Sequence, residues 1–145
     1  MAEKLAEIPG KLQILLREGK IEESKKLFLL CDPNATVWSG SNVFWFSPMP
    51  KEFAVWAKEQ GADVNFRNSS GVTPVFQIAA MDGDVQMLID LGADIKVTDA
   101  EGRTPLHSAA ERGRKKAGRT LIKAGADINA WTKEFHGVGK YTPLE

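Results

Sequence analysis

Few groups in this chain have the means to do chemistry: His107, His136, Cys31 and two glycine-bearing stretches. A zinc site takes three or four nitrogen, sulfur or oxygen ligands, so two histidines need others converging from elsewhere. Cys31 is the single cysteine, so no intrachain disulfide forms, which suits a reducing compartment. Free cysteine behaves as a small buried hydrophobe, and a packed, unreactive thiol is expected. Gly137-Val138-Gly139-Lys140 ends like a phosphate-cradling loop, but Glu134 stands where its first glycine belongs and Tyr141 replaces Ser or Thr. Asp82-Gly83-Asp84 opens like a calcium loop and lacks the remaining ligands. No catalytic constellation emerges. The expectation is a chain that is not an enzyme and holds no cofactor or metal.

Composition points to a soluble globular domain. Of 145 residues, 43% are hydrophobic and 26% charged, both ordinary values. Nineteen basic residues balance nineteen acidic ones, so no overall field draws nucleic acid or an anionic membrane. No apolar run reaches the roughly 20 residues of a membrane-spanning helix. Residues 1–10 lack the apolar core of a signal peptide. A cytoplasmic location is expected, with signal-independent secretion left open.

Order in the chain comes from a repeat. Gly-Ala-Asp recurs at Gly61, Gly92 and Gly125, at intervals of 31 and 33 residues. Asp32, Asp63 and Asp94 keep a 31-residue interval, as do Gly40, Gly71 and Gly102, and Thr73-Pro74 and Thr104-Pro105. Thr before Pro opens a helix, because the hydroxyl can accept an orphan N–H and proline gives up no bond at the first position. Gly92 and Gly125 end a second helix in a left-handed conformation. Asp-x-Asn then bonds to local backbone in a turn. The predicted unit is helix, turn, helix, projecting loop, which cannot bury its apolar face alone and must stack.

Gly102-Arg103-Thr104-Pro105-Leu106-His107-Ser108-Ala109-Ala110 resembles the ankyrin signature T-P-L-H-x-A, and Leu121 to Ala130 resembles the end of the same repeat. The resemblance implies an all-α solenoid of stacked helix-turn-helix units with hairpin-like loops. The expected divisions are a divergent helical cap over 1–34, a degenerate repeat over 35–65, a repeat over 66–98 and a near-consensus repeat over 99–130. Residues 131–145 then make an extended loop and the start of a truncated repeat. Its last residues, Thr142 to Glu145, stand where another helix should begin. Either the chain is cut short, with a vector-derived Leu-Glu, or the native end is a stub. In the cap, leucine spacing predicts helices over about 3–18 and 21–30. The resemblance also implies that His107 knits neighbouring loops by hydrogen bonds.

Members of this family bind partners through loop tips and the concave face of their first helices. Carried over by position, the contacts in the first loop are Trp38, Ser39 and Ser41. The second loop offers Phe66, Ser69, Ser70 and Val72, with Met81 or Asp82 at its helix end. The best-matched unit offers Ala100, Glu101, Arg103, Glu111 and Arg112. The last loop adds Trp131, Lys133, Phe135 and His136. Aromatic rings on loop tips are costly to leave wet, so Trp38 and Phe66 either meet a partner or pack onto the next repeat. Trp45, Phe53 and Trp56 fall where helices are expected and read as core. The run Arg112, Arg114, Lys115, Lys116, Arg119, Lys123 reads as a solvated helix face, with an acidic partner as the alternative.

The function expected is noncatalytic protein–protein interaction by a monomer, with another protein as partner and neither nucleic acid nor membrane. Within it, an inhibitor, an immunity-like protein or a host-directed effector fits equally well. The other class is the regulatory fragment of a longer enzyme.

Overall fold

Thr73-Pro74 and Thr104-Pro105 open helices as their spacing predicts. The computed structural model describes residues 3–129. In chain order its elements are β1 (Leu5–Glu7), α1 (Gly10–Arg17), α2 (Ile21–Phe28), β2 (Cys31–Thr36) and a single 3-10 turn at Val43–Trp45. Then follow α3 (Lys51–Glu59), α4 (Pro74–Ala80), α5 (Val85–Asp90), α6 (Pro105–Glu111) and α7 (Lys115–Lys123). Units stack along one axis, and α4 packs on α6 as α5 does on α7. One apolar core runs through them, from Ile8 and Leu12 through Phe53, Val75 and Leu88 to Leu106 and Leu121.

Two expectations for the first half need correction. The helix expected over 3–18 is a short strand followed by α1, and α2 ends at Phe28. Pro9 lacks an N–H and holds an extended conformation, so the helix starts only after it. Leu5 to Glu7 then pair in parallel with β2, adding a two-stranded sheet to the expected all-α solenoid. In the unit 35–65 the first helix shrinks to the 3-10 turn. Asn42 starts it, its Oδ1 accepting the Phe44 N–H at 3.3 Å. Pro48 and Pro50 then forbid its extension, since each removes a donor and restricts the residue before it.

The later units follow the pattern closely. α6 opens with a reciprocal capping box: Thr104 Oγ1 accepts the His107 N–H at 3.5 Å, and the Thr104 N–H donates to His107 Nδ1 at 3.0 Å. The imidazole therefore caps its own helix, with Nδ1 as an acceptor. In the preceding unit Phe76 occupies the histidine position, and buried Thr73 Oγ1 has no hydrogen-bond partner among the described residues. Gly92, with φ +96°, closes α5, and its amide bonds Ile89 O at 2.9 Å.

Asparagine side chains tie unit to unit. Asn34 Oδ1 accepts the Asp63 N–H at 2.8 Å and its amide donates to Gly61 O at 3.3 Å. Asn65 repeats this one unit on, with Asp94 N–H at 2.8 Å and Gly92 O at 3.1 Å. The next place in the series is Lys96, whose side chain cannot accept. Lys96→Asn is expected to stabilise the fold by about 0.5–1 kcal/mol through bonds to the Asp127 amide and Gly125 carbonyl. A thermal midpoint that stays put or falls would show that the last unit is not stacked in register.

Candidate partner-binding surface

Beyond β2 the chain reverses over Val37–Ser41, closed by Val37 N–H to Ser41 O and Gly40 N–H to Val37 O, both at 2.8 Å. Ser41 is buried: its hydroxyl accepts from Ser39 Oγ at 3.1 Å and from Asn68 Nδ2 at 3.1 Å. Ser69 Oγ donates to Ser39 O at 3.3 Å, so the first two loop tips are bonded side by side. Asn68 holds the second tip, its Oδ1 accepting the amides of Ser70 and Val72 at 3.0 Å. Asp99 does the same for Glu101 and Arg103 in the third, at 2.9 Å. These are rigid, self-satisfied tips.

Arg103 is drawn inward by that network. Its Nε lies 2.8 Å from Asp99 Oδ2 and 3.4 Å from Glu101, and a terminal nitrogen is 3.5 Å from Glu111. Burial disfavours its charge, but the Asp99 bond and the surrounding carboxylates outweigh that and hold it above the ordinary arginine range. At the helix ends, Asp82 adopts φ +58° and its Oδ1 accepts the Ala117 N–H at 2.8 Å, capping α7 from the unit before.

The loss of one helix opens the site. With only a 3-10 turn between α1 and α4, a groove of about 620 Å³ remains on the face of the first helices. Trp45 of the turn and Phe46 just after it line it, as do Gln13 of α1, Gln77 of α4, and Trp38 and Ser39 of the first loop. Trp38 is 99% exposed, a large apolar ring on which none of the described residues packs.

The expected contacts therefore separate. Trp38, Ser69, Ser70, Met81, Ala100, Glu101, Glu111 and Arg112 are exposed on tips and helix ends. Ser39, Phe66, Val72, Asp82 and Arg103 are half-buried, and Ser41 is spent inside the fold. Trp131, Lys133, Phe135 and His136 lie outside the described residues. Phe53 is core as expected, but Trp45 and Trp56 are only half-buried, and Trp45 faces the groove. Gln13, Gln77 and the groove role of Trp45 escaped the sequence reading. The available signal was the pair of prolines at 48 and 50, which leaves too little chain for a full helix.

Other candidate chemistry reduces to structure. Cys31 is buried, its Sγ 3.7 Å from Leu27 O, and burial pushes the thiol above its ordinary value, away from the nucleophilic thiolate. The six cations from Arg112 to Lys123 are all exposed, and Arg114 Nε donates to Ala80 O at 2.9 Å. Among the described residues no helix is long and apolar enough to cross a membrane, and no cluster of ligating side chains is suited to a metal.

Known proteins share this pattern. Residues 49–131 match the family model for ankyrin repeats in three copies. The ankyrin repeat protein YahD of Escherichia coli is 41% identical over 71 residues, covering 44% of this chain and 35% of YahD. NF-kappa-B inhibitor delta of Mus musculus is 32% identical over 98 residues, covering 61% of this chain and 29% of that protein. Palmitoyltransferase AKR1 of Saccharomyces cerevisiae is 40% identical over 69 residues, covering 46% of this chain and 9% of the enzyme. The matched stretch thus spans about a third or less of these relatives. Ankyrin repeats generally mediate protein–protein interaction. With a family match over more than half its length, laid on stacked helix pairs and bonded loop tips, the chain belongs to the ankyrin-repeat family.

Proposed function

We propose that this protein is a noncatalytic interaction module that grips a partner protein with its loop tips and the face of its first helices. The observation that carries the reading is Trp38, fully exposed on a rigid tip beside an open groove. Interface hot spots are enriched in tryptophan, and a single well-placed ring accounts for much of an interface's affinity. Similarity to NF-kappa-B inhibitor delta favours a blocking role over a passive scaffold. Balanced charge and the buried, single cysteine support a cytoplasmic monomer. Similarity to Palmitoyltransferase AKR1 supports the second reading, an ankyrin segment attached to an enzyme.

Trp38→Ala is expected to leave the thermal midpoint unchanged, because the ring is 99% exposed among the described residues, while selectively losing one protein in affinity capture from native extract. Leu30→Ala, also exposed but at the end of α2, serves as the control. Identical captures from wild type and Trp38→Ala would remove the tip from the binding surface. A native product with catalytic sequence beyond residue 145 would favour the second reading.

A further inference from the structure

We propose that the groove beside Trp38 takes an uncharged, proline-rich segment in the polyproline II conformation, an inference that rests on the partner-binding reading above. Of the eleven residues lining the groove only Glu7 is charged, in a chain where charged residues make up 26%. A charged segment would lose water there without gaining a counter-ion, so complementarity selects a neutral one. Trp38 and Trp45 bring exposed or half-buried rings to the lining, with Phe46 buried beneath. Gln13 of α1 and Gln77 of α4 bring amides to it, although the Gln77 amide already donates to Met81 Sδ at 3.1 Å and has one N–H left to offer. Polyproline II has no internal hydrogen bonds, and proline carries a carbonyl but no N–H. Rings for the pyrrolidines and donors for the carbonyls are what such a ligand lacks.

Energetics point the same way. A ligand already extended pays little conformational entropy on binding, which suits a shallow groove of the size that holds a drug-sized molecule, about 300–1,000 Å³. Strand addition on the neighbouring edge is the main competitor. β1 is three residues long and its register with β2 breaks between Leu5 and Glu7, an irregularity that turns an edge away from further pairing.

The test is fluorescence anisotropy of the full chain with a labelled, capped proline decamer, beside a capped decamer alternating Thr and Val as a strand former. The expected result is saturable binding of the proline peptide that changes little with salt. Trp38→Ala and Gln77→Ala should each weaken it about tenfold, the effect of removing one hot-spot side chain. No saturation, or equal affinity in Trp38→Ala, overturns the proposal. Preference for the Thr-Val peptide replaces it with strand addition. If Trp38→Ala loses the captured partner while the proline decamer never binds, the interaction module stands and only the ligand class falls.

Discussion

Phe53→Ala is expected to destabilise the protein by about 3–5 kcal/mol, the usual cost of emptying a packed phenylalanine site. Phe53 on α3 is fully buried, its ring 5.7 Å from Phe28 at 78° and 5.5 Å from Trp56 at 47°. Phe28 and Trp56 meet edge to face at 5.9 Å, closing a three-ring cluster between α2 and α3. Edge-to-face pairs contribute about 0.5–1.5 kcal/mol beyond area, so the cluster is worth more than its methylenes. A domain of this size has only about 5–15 kcal/mol in total. Because each unit of a solenoid contacts only its neighbours, the loss should fall locally. Amide exchange is expected to rise across α1 to α3 while α6 and α7 keep more protection. Denaturant unfolding that shows a loss below about 1.5 kcal/mol, or exchange rising uniformly, would mean that the rings are not the joint between cap and repeats.

The repeat half of this fold was legible because its signals are local. Thr-Pro, Gly-Ala-Asp and Asp-x-Asn each satisfy backbone groups within a few residues, so spacing alone locates α4, α6 and the turns. The first half was not legible in the same way. Leu5 to Glu7 fall inside the helix expected over 3–18, yet they form a strand because Cys31 to Thr36 lie alongside, a pairing no local pattern carries. Cys31 is buried, as its reading as a packed thiol expects. His107, expected to link neighbouring loops, bonds Thr104 at the start of its own helix. Thr73 shows the limit in miniature: its Thr-Pro reads as a capped start, but Phe76 in the histidine position leaves the hydroxyl unpaired.

The site was half legible for a related reason. Sequence marked Trp38 and Phe66 as rings on loops and left open whether they pack or project. The structure leaves Phe66 half-buried and Trp38 bare. The groove exists because a helix is missing, and the trace of that in the sequence is Pro48 and Pro50, which shorten the helix without marking a site. Only the packing of α1, the 3-10 turn and α4 around that gap makes Trp45, Gln13 and Gln77 one surface.

Valine at the loop-tip glycines should separate the strain of a turn from its contacts. Gly40, Gly71 and Gly102 have φ of +74°, +72° and +79°, a region costly for any side chain and most for a β-branched one. Left-handed strain alone is about 1–2 kcal/mol, which sets the expected loss for Gly71→Val and a minimum for Gly102→Val, more than an ordinary surface change. Gly40 adds a collision, since a Cβ there would overlap Ser69 Oγ and stand 3.1 Å from the Ser69 backbone nitrogen, whereas one at Gly71 meets open space. Gly40→Val should therefore cost more than Gly71→Val in thermal or denaturant unfolding. It should also displace the tip that carries Trp38 and weaken partner capture, which Gly71→Val should spare. Equal stability losses would mean that the first two tips are not in contact. A wild-type melting curve for Gly102→Val would overturn the turn assignment itself, because no valine sits at that φ without strain.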